Sequence, residues 1–160
     1  MNKTLLFEEI VCALEAIHQG SVDAAMQASD TATDKESVAE NKYDTFGLEA
    51  SYLAHGQTER MLECEANLAA FNKLVPVIFT ETMPIAIGAV ITLEDELGAE
   101  QVLFLGPAAG GMKVCCEEKD IMLITRSAPL GAALFGRYKG DEVETDLSGK
   151  KNRYEISCVE

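Results

Sequence analysis

The sequence has no tryptophan, and only six phenylalanines and four tyrosines among its 160 residues. So few rings weaken any proposal that needs stacked bases or an aromatic cage around a ligand. Cations are short as well: 13 Lys and Arg stand against 27 Asp and Glu, a net charge of −14. A chain this acidic is not a free-standing platform for nucleic-acid phosphates, and little independent nucleic-acid affinity is expected. An anionic membrane surface is disfavoured for the same reason. Long apolar runs are missing too. No uncharged stretch approaches about 18 residues, so no spanning helix is expected, and Leu5-Leu6-Phe7 is too short for a signal-peptide core before Glu8 and Glu9. The five cysteines (Cys12, Cys64, Cys115, Cys116, Cys158) include no Cys-x-x-Cys and have no histidine pair nearby. Neither a zinc site nor a disulfide framework is supported, and a reducing cytoplasm is the default compartment.

What is present is a globular composition, 48% apolar and 25% charged, in a length that suits one ordinary domain or two small ones. From residue 5 to 28, Phe7, Ile10, Leu14, Ile17, Ser21, Ala24 and Ala28 recur at alternating steps of three and four. Phe46, Ala50, Leu53, Gln57, Met61, Cys64, Leu68 and Phe71 keep nearly the same rhythm. Two heptad seams of this kind predict an antiparallel coiled-coil pair within residues 1–75. The polar stretch from Ser29 to Asn41, rich in turn and capping residues, reads as the hairpin's tip, with acidic residues gathered across 30–44. Arms of this length extend about 40 Å at 1.5 Å per residue. A two-helix finger buries little and needs a body to anchor it.

Residues 76–160 have a different texture. Short β-rich runs at 85–93, 101–105, 113–116, 121–125, 142–147 and 153–159 are separated by turn clusters such as Gly106-Pro107, Gly110-Gly111 and Gly140-Asp141. They predict a meandering antiparallel sheet. One segment, Ser127 to Gly136, reads as a short helix, with Ser127 as N-cap, Pro129 in the first turn and a closing glycine. The basic residues of this half concentrate at Arg126, Arg137, Lys139, Lys150, Lys151 and Arg153, where a partner with acidic features can dock.

Other features favour plain structural readings. The Gly106–Lys113 stretch lacks the spacing and the Gly-Lys-Ser/Thr ending of a phosphate-binding loop and is expected to be a hairpin loop. His18 and His55 read as surface or seam-edge residues. Cys115 and Cys116 are adjacent in a strand, so one is expected inward and the other outward.

The run Ile124-Thr125-Arg126-Ser127-Ala128-Pro129-Leu130-Gly131-Ala132-Ala133-Leu134-Phe135-Gly136-Arg137-Tyr138-Lys139-Gly140-Asp141-Glu142-Val143 resembles that of the GreA/GreB family of bacterial transcript-cleavage factors. The family shows there a strand, Ser-x-Pro, a small-residue helix ending at Gly, and a Gly-Asp-Glu-Val turn. Lys151-Asn152-Arg153-Tyr154-Glu155-Ile156 resembles the family's last strand, and Glu40-Asn41-Lys42-Tyr43 its tip motif, one residue short before the Tyr. The resemblance implies an α+β chain: an antiparallel coiled-coil hairpin, then an FKBP-like antiparallel sheet domain with one short helix. It further implies docking at the rim of the RNA polymerase secondary channel through Arg126, Ser127, Pro129, Arg137, Lys139 and Asp141.

On this resemblance Glu40 is the tip carboxylate delivered to the polymerase active site. There it helps hold Mg2+ shared with the polymerase and acts on the nascent RNA 3′ end only indirectly. Asp44, four residues on, shares its face if the second helix begins near Asn41, and Glu36 and Asp34 are further acids nearby. The chain itself is expected to be an accessory factor rather than an enzyme, with no metal or cofactor of its own and DNA association only through its family. The family's first tip aspartate falls on Ser37, which leaves open a regulator that docks in the same way without assisting cleavage. A prolyl isomerase would need several aromatics around one pocket, and residues 76–160 offer only Phe79, Phe104, Phe135, Tyr138 and Tyr154. A hairpin chaperone or adaptor has no use for the C-terminal block.

Overall fold

The computed structural model describes residues 1–34, 45–80, 82–147 and 150–160, with Leu147 and Lys150 as backbone only. Helix α1 spans Lys3–Thr33 and α2 spans Phe46–Asn72. Asn2 caps α1: its Oδ1 accepts from the Thr4 and Leu5 amides at 3.1 and 3.2 Å, and its carbonyl takes the first helical bond from Leu6. Thr45 opens α2 by accepting the Glu49 amide at 2.9 Å.

The described residues form two compact units. One is Cys12–Ala69, and the other joins Met1–Val11 to Ala70–Glu160. In the first, the residues withdrawn from solvent follow one stripe on each helix: Leu14, His18, Ser21, Ala25 and Ala28 on α1, and Gly47, Ala50, Ala54, Gln57, Met61 and Cys64 on α2. These helices are the unit's only described elements, so the two stripes face one another as a helical hairpin. The stripe keeps the expected heptad positions Leu14, Ser21, Ala28, Ala50, Gln57, Met61 and Cys64 and departs from them at Ile17 and Leu53. Ile17 is 44% exposed and Leu53 56% exposed, and the inward positions are one residue later, at His18 and Ala54. Small side chains, not large ones, occupy much of the contact.

The second unit is built on six strands: β1 (Val90–Asp95), β2 (Glu100–Gly106), β3 (Lys113–Cys116), β4 (Lys119–Thr125), β5 (Glu142–Leu147) and β6 (Lys150–Val159), with α3 (Pro129–Leu134) between β4 and β5. Their order is β3-β4-β2-β1-β6-β5. The α+β organisation is the expected one, and the sheet is mostly antiparallel. It is not a simple meander, because β2 and β4 run parallel, Val102 opposite Ile121 through Gly106 opposite Thr125. The Gly106–Lys113 segment is therefore no hairpin loop: it carries the chain past β4 to the edge. The first expected strand starts late as well, since Ile85 bonds to the loop at Gly136 and Arg137, Gly88 makes a single bond to Leu105 of β2, and the ladder begins at Val90.

Alternation along the strands divides the sheet into two faces. Leu93, Leu103, Leu105, Ile124, Val143 and Ile156 lie in one core with Phe79, Ile85 and Leu134 of α3. On the other side Phe104 meets Phe7 of α1 and Phe71 of α2, with ring centroids 5.9 and 6.1 Å away. Leu6, Ile10, Ile121 and Leu123 are fully buried. Burying such side chains contributes about 1.5–3 kcal/mol each. Lys3 fastens the same helix start: its ammonium donates to the Val77 carbonyl and, at 2.9 Å, to that of Gly88, and lies 4.5 Å from the Phe79 ring centroid. Burial lowers its pKa to about 8.

Candidate docking face around the short helix

The geometry starts at the end of β4. The Thr125 carbonyl accepts the Ala128 amide at 3.0 Å, and the Ala128 carbonyl takes the first α3 bond from Ala132 at 2.8 Å. Ala128 is thus the N-cap residue, with no side-chain cap, and Pro129 fills the first helical position. The expected Ser127 cap is corrected. One residue too early to reach the free amides, its hydroxyl shares a 2.8 Å hydrogen bond with that of Thr125.

Gly131 explains the small-residue character of the helix. A Cβ there would stand 2.0 Å from the Thr125 carbonyl oxygen, so only glycine lets α3 lie this close to the strand. Leu134, fully buried, pins the other end.

The chain leaving α3 is held just as firmly. Phe135, at ψ 124°, already leaves the helix, and Gly136, at φ 81°, completes a tight turn closed by the Arg137 amide on the Leu134 carbonyl; the Gly136 amide bonds to the Ile85 carbonyl at 2.8 Å. The Ile85 amide in turn donates to the Arg137 carbonyl, also at 2.8 Å. Further on, the Gly140 amide donates to the Ile156 carbonyl and the Ile156 amide to that of Asp141. Asp141 spends one carboxylate oxygen on the Tyr138 amide at 2.9 Å, so it shapes its own loop.

This frame brings the six C-terminal candidates into one segment. Arg126, Ser127, Pro129, Arg137 and Lys139 are exposed, and Asp141 is half-buried. Arg126 is further constrained, with its guanidinium carbon 4.1 Å from the Phe135 ring centroid. A stacked guanidinium is preorganised: its planar fork keeps its donors while losing rotamers. Phe135 and Ile85 belong to the site although nothing in the sequence singled them out for it. Arg126 and Phe135 flank α3, but no local periodicity pairs them.

A further basic candidate, Arg153, is engaged within the sheet. Arg153 stands directly opposite Glu144 on the β5–β6 ladder and donates to its carboxylate at 2.7 Å, with Glu142 at 4.0 Å. This hydrogen bond holds the Glu144 carboxyl below its usual range and raises the Arg153 pKa. The cation is thereby matched within its own sheet.

Glu36, Glu40 and Asp44, and with them Ser37, lie outside the described residues. Among the described residues no three His, Cys, Asp or Glu side chains gather as a metal would require. None of the described helices is long and apolar enough to cross a membrane. Of the aromatics an isomerase pocket would need, Phe104 lies on the opposite sheet face from Phe79, Phe135 and Tyr154, which pack at the main core.

No family model matches the chain. Two curated proteins do: the transcription elongation factor GreA of Polaromonas naphthalenivorans, 30% identical over 102 residues, and that of Ralstonia nicotianae, 31% identical over 102 residues. Each match covers 62% of this chain and 60% of the relative, so the chain spans about three fifths of the curated relatives' length. Among solved structures, a transcription factor Gfh1 is 18% identical, covers 93% of this chain and 92% of its own, and has a TM-score of 0.41. The GreA/GreB elongation factor of Nitrosomonas europaea is 21% identical over 60% of this chain and 78% of its own, at 0.39. The likeness rests on the sequence matches, since TM-scores near 0.4 add no weight to it. In sequence, the chain is GreA/GreB-like.

Proposed function

We propose that this chain is a GreA/GreB-like transcription elongation factor, an accessory protein that binds RNA polymerase and works on the polymerase's active site instead of one of its own. The supporting observation is the match to GreA at 30% identity over 102 residues. The exposed cations around α3 agree with it: in a chain of net charge −14 they stand on a rigid frame suited to an acidic protein surface. In this reading Arg126, Ser127, Pro129, Arg137 and Lys139 meet the rim of the secondary channel, and Asp141 holds their loop in shape.

The hairpin enters the channel. Within the hairpin unit the arms, residues 12–33 of α1 and 46–69 of α2, are about 33 and 36 Å long at 1.5 Å per residue, a reach that suits a deep cavity. Glu40, with Asp44 and Glu36 in support, then adds a carboxylate beside magnesium that belongs to the polymerase. Such an ion polarises phosphoryl oxygens and activates water for phosphodiester hydrolysis. The RNA 3′ end is reached only through the polymerase, and the protein works in the cytoplasm.

Stalled, backtracked elongation complexes test this reading. Wild type is expected to release short 3′ RNA fragments, and Glu40→Ala to abolish release while still binding polymerase. Ser37, at the position of the family's first tip aspartate, favours a second reading, the regulator that docks without assisting cleavage. Binding without release by wild type selects it, and absence of binding removes both.

A further inference from the structure

Among the described residues of the sheet-bearing unit, Tyr138 is the one exposed aromatic, with 45% of its surface open to solvent. The candidate docking residues do not include it. What separates it from a chance surface ring is the backbone that carries it. The Tyr138 amide donates to Asp141 Oδ2 at 2.9 Å, and its carbonyl accepts the Asp141 amide at 3.1 Å, closing a turn in which Gly140 takes φ 86°. Just before it the Arg137 carbonyl accepts the Ile85 amide at 2.8 Å. Just after it Gly140 and Asp141 are tied to Ile156 at 2.8 and 3.0 Å. Tyr138 therefore stands on a loop sewn to the sheet on both sides, with its ring pointed at water.

The charges around it are of one sign. Arg137 and Lys139 are exposed on either side in sequence, and Arg126, stacked on Phe135, precedes the same short helix. Tyr and Arg carry much of the binding energy of protein interfaces, because a ring with two side-chain torsions buries a large area at little cost in entropy. Resting on the polymerase reading, we propose that Tyr138 anchors the docking face: its ring enters an apolar recess of the polymerase, and Arg126, Arg137 and Lys139 meet carboxylates around that recess. The partner patch is thus acidic at its margin and apolar at its centre. The two kinds of contact divide the work. Exposed charges steer the approach and are screened by salt, whereas apolar burial holds the complex once it has formed.

Full-length wild type, Tyr138→Ala, Tyr138→Phe and Arg137→Ala are compared by binding kinetics on immobilised bacterial core RNA polymerase, at about 0.1 and 0.4 M salt. Tyr138→Ala should bind about thirtyfold more weakly, through faster dissociation and by the same factor at both salt concentrations. Tyr138→Phe, which keeps the ring, should stay within about threefold of wild type. Arg137→Ala should lose less, and its loss should shrink as salt rises. Urea midpoints of the Tyr138 variants should match wild type, since the side chain is exposed. Saturable wild-type binding that Tyr138→Ala leaves within about threefold overturns the anchor and leaves the polymerase reading standing. A loss that fades with salt, or one as large in Tyr138→Phe as in Tyr138→Ala, overturns it as well, because the contact would then be polar. So does a lowered urea midpoint in Tyr138→Ala, which would assign the ring to the fold. Failure of wild type to bind removes the polymerase reading itself, and the anchor with it.

Discussion

Replacing Gly131 by alanine asks whether α3 is clamped to its strand as tightly as its geometry implies. The added Cβ would lie 2.0 Å from the Thr125 carbonyl oxygen and 2.9 Å from its carbon, whereas a carbon meets an oxygen at about 3.3–3.6 Å even in close contacts. Both offending atoms are backbone, so no side-chain rotation relieves the clash, and α3 must retreat from β4 by more than about 1 Å. That retreat pulls buried Leu134 out of the core and strains the Ala128–Thr125 hydrogen bond. Overpacking typically costs about 1–3 kcal/mol, and the rigidity here puts Gly131→Ala at the upper end, about 3 kcal/mol. With a urea dependence of about 1.5–2 kcal/mol per molar, the unfolding midpoint should fall by roughly 1.5–2 M. Gly20→Ala and Gly56→Ala are the controls. Both positions are helical and meet nothing within 4 Å, so the same change should stabilise by about 0.5–1 kcal/mol through helix propensity. A Gly131→Ala protein within about 0.5 kcal/mol of wild type would refute the argument.

Three further outcomes follow from burial and charge. Leu53→Ala should change stability by less than about 0.5 kcal/mol, because the side chain is 56% exposed; a loss near the roughly 2–5 kcal/mol of a core leucine, read by thermal unfolding, would restore the heptad seam. Lys3, with its pKa lowered to about 8 by burial, gives up its proton in the folded protein before it does so in the unfolded chain, whose value is near 10.5. Between those values the unfolded chain binds more protons, so the stability of wild type relative to Lys3→Met should rise with pH and be flat below the window. Urea midpoints of the two proteins across that window check this, and a relative fall contradicts it. Iodoacetamide followed by peptide mass mapping should label exposed Cys115 ahead of Cys116, which is buried and has its thiol pKa raised by that burial. Equal labelling in the folded protein would contradict the inward placement of Cys116.

Residues whose neighbours in sequence decide their placement were the readable ones. Cys115 and Cys116 divide between outside and inside because adjacent strand residues alternate, and Pro129 with Gly136 brackets α3 as proline and glycine should. The helical hairpin was legible in its rhythm and in most of its phase: Leu14, Ser21, Ala28, Ala50, Gln57, Met61 and Cys64 are withdrawn from solvent where the heptads put them. Counting large apolar residues also put Ile17 and Leu53 inward, where His18 and Ala54, with their weaker hydropathy signal, are withdrawn instead. The parallel β2–β4 pair escaped because turn residues mark where a chain bends and not which strand it joins next. The β3–β4 turn carries no Asn-Gly signature: Glu117 and Glu118 both adopt left-handed φ, at 51° and 62°. The candidate docking residues came from a resemblance along 124–143, but what fixes them did not. Phe135 beneath Arg126, the Ile85 backbone beside Arg137, and Lys3 reaching Val77 and Gly88 are tertiary contacts that no local pattern announces.

The most direct measurement is equilibrium binding of the purified full-length chain to bacterial core RNA polymerase, wild type beside Arg126→Glu and Phe135→Leu. Saturable wild-type binding is the expected result, weakened by about tenfold or more when Arg126 is reversed in charge, and by less when Phe135 only ceases to hold it. No saturable binding by a folded wild-type protein would contradict the account outright. Binding that neither substitution weakens would leave the polymerase in place as partner but take the α3 face away from it.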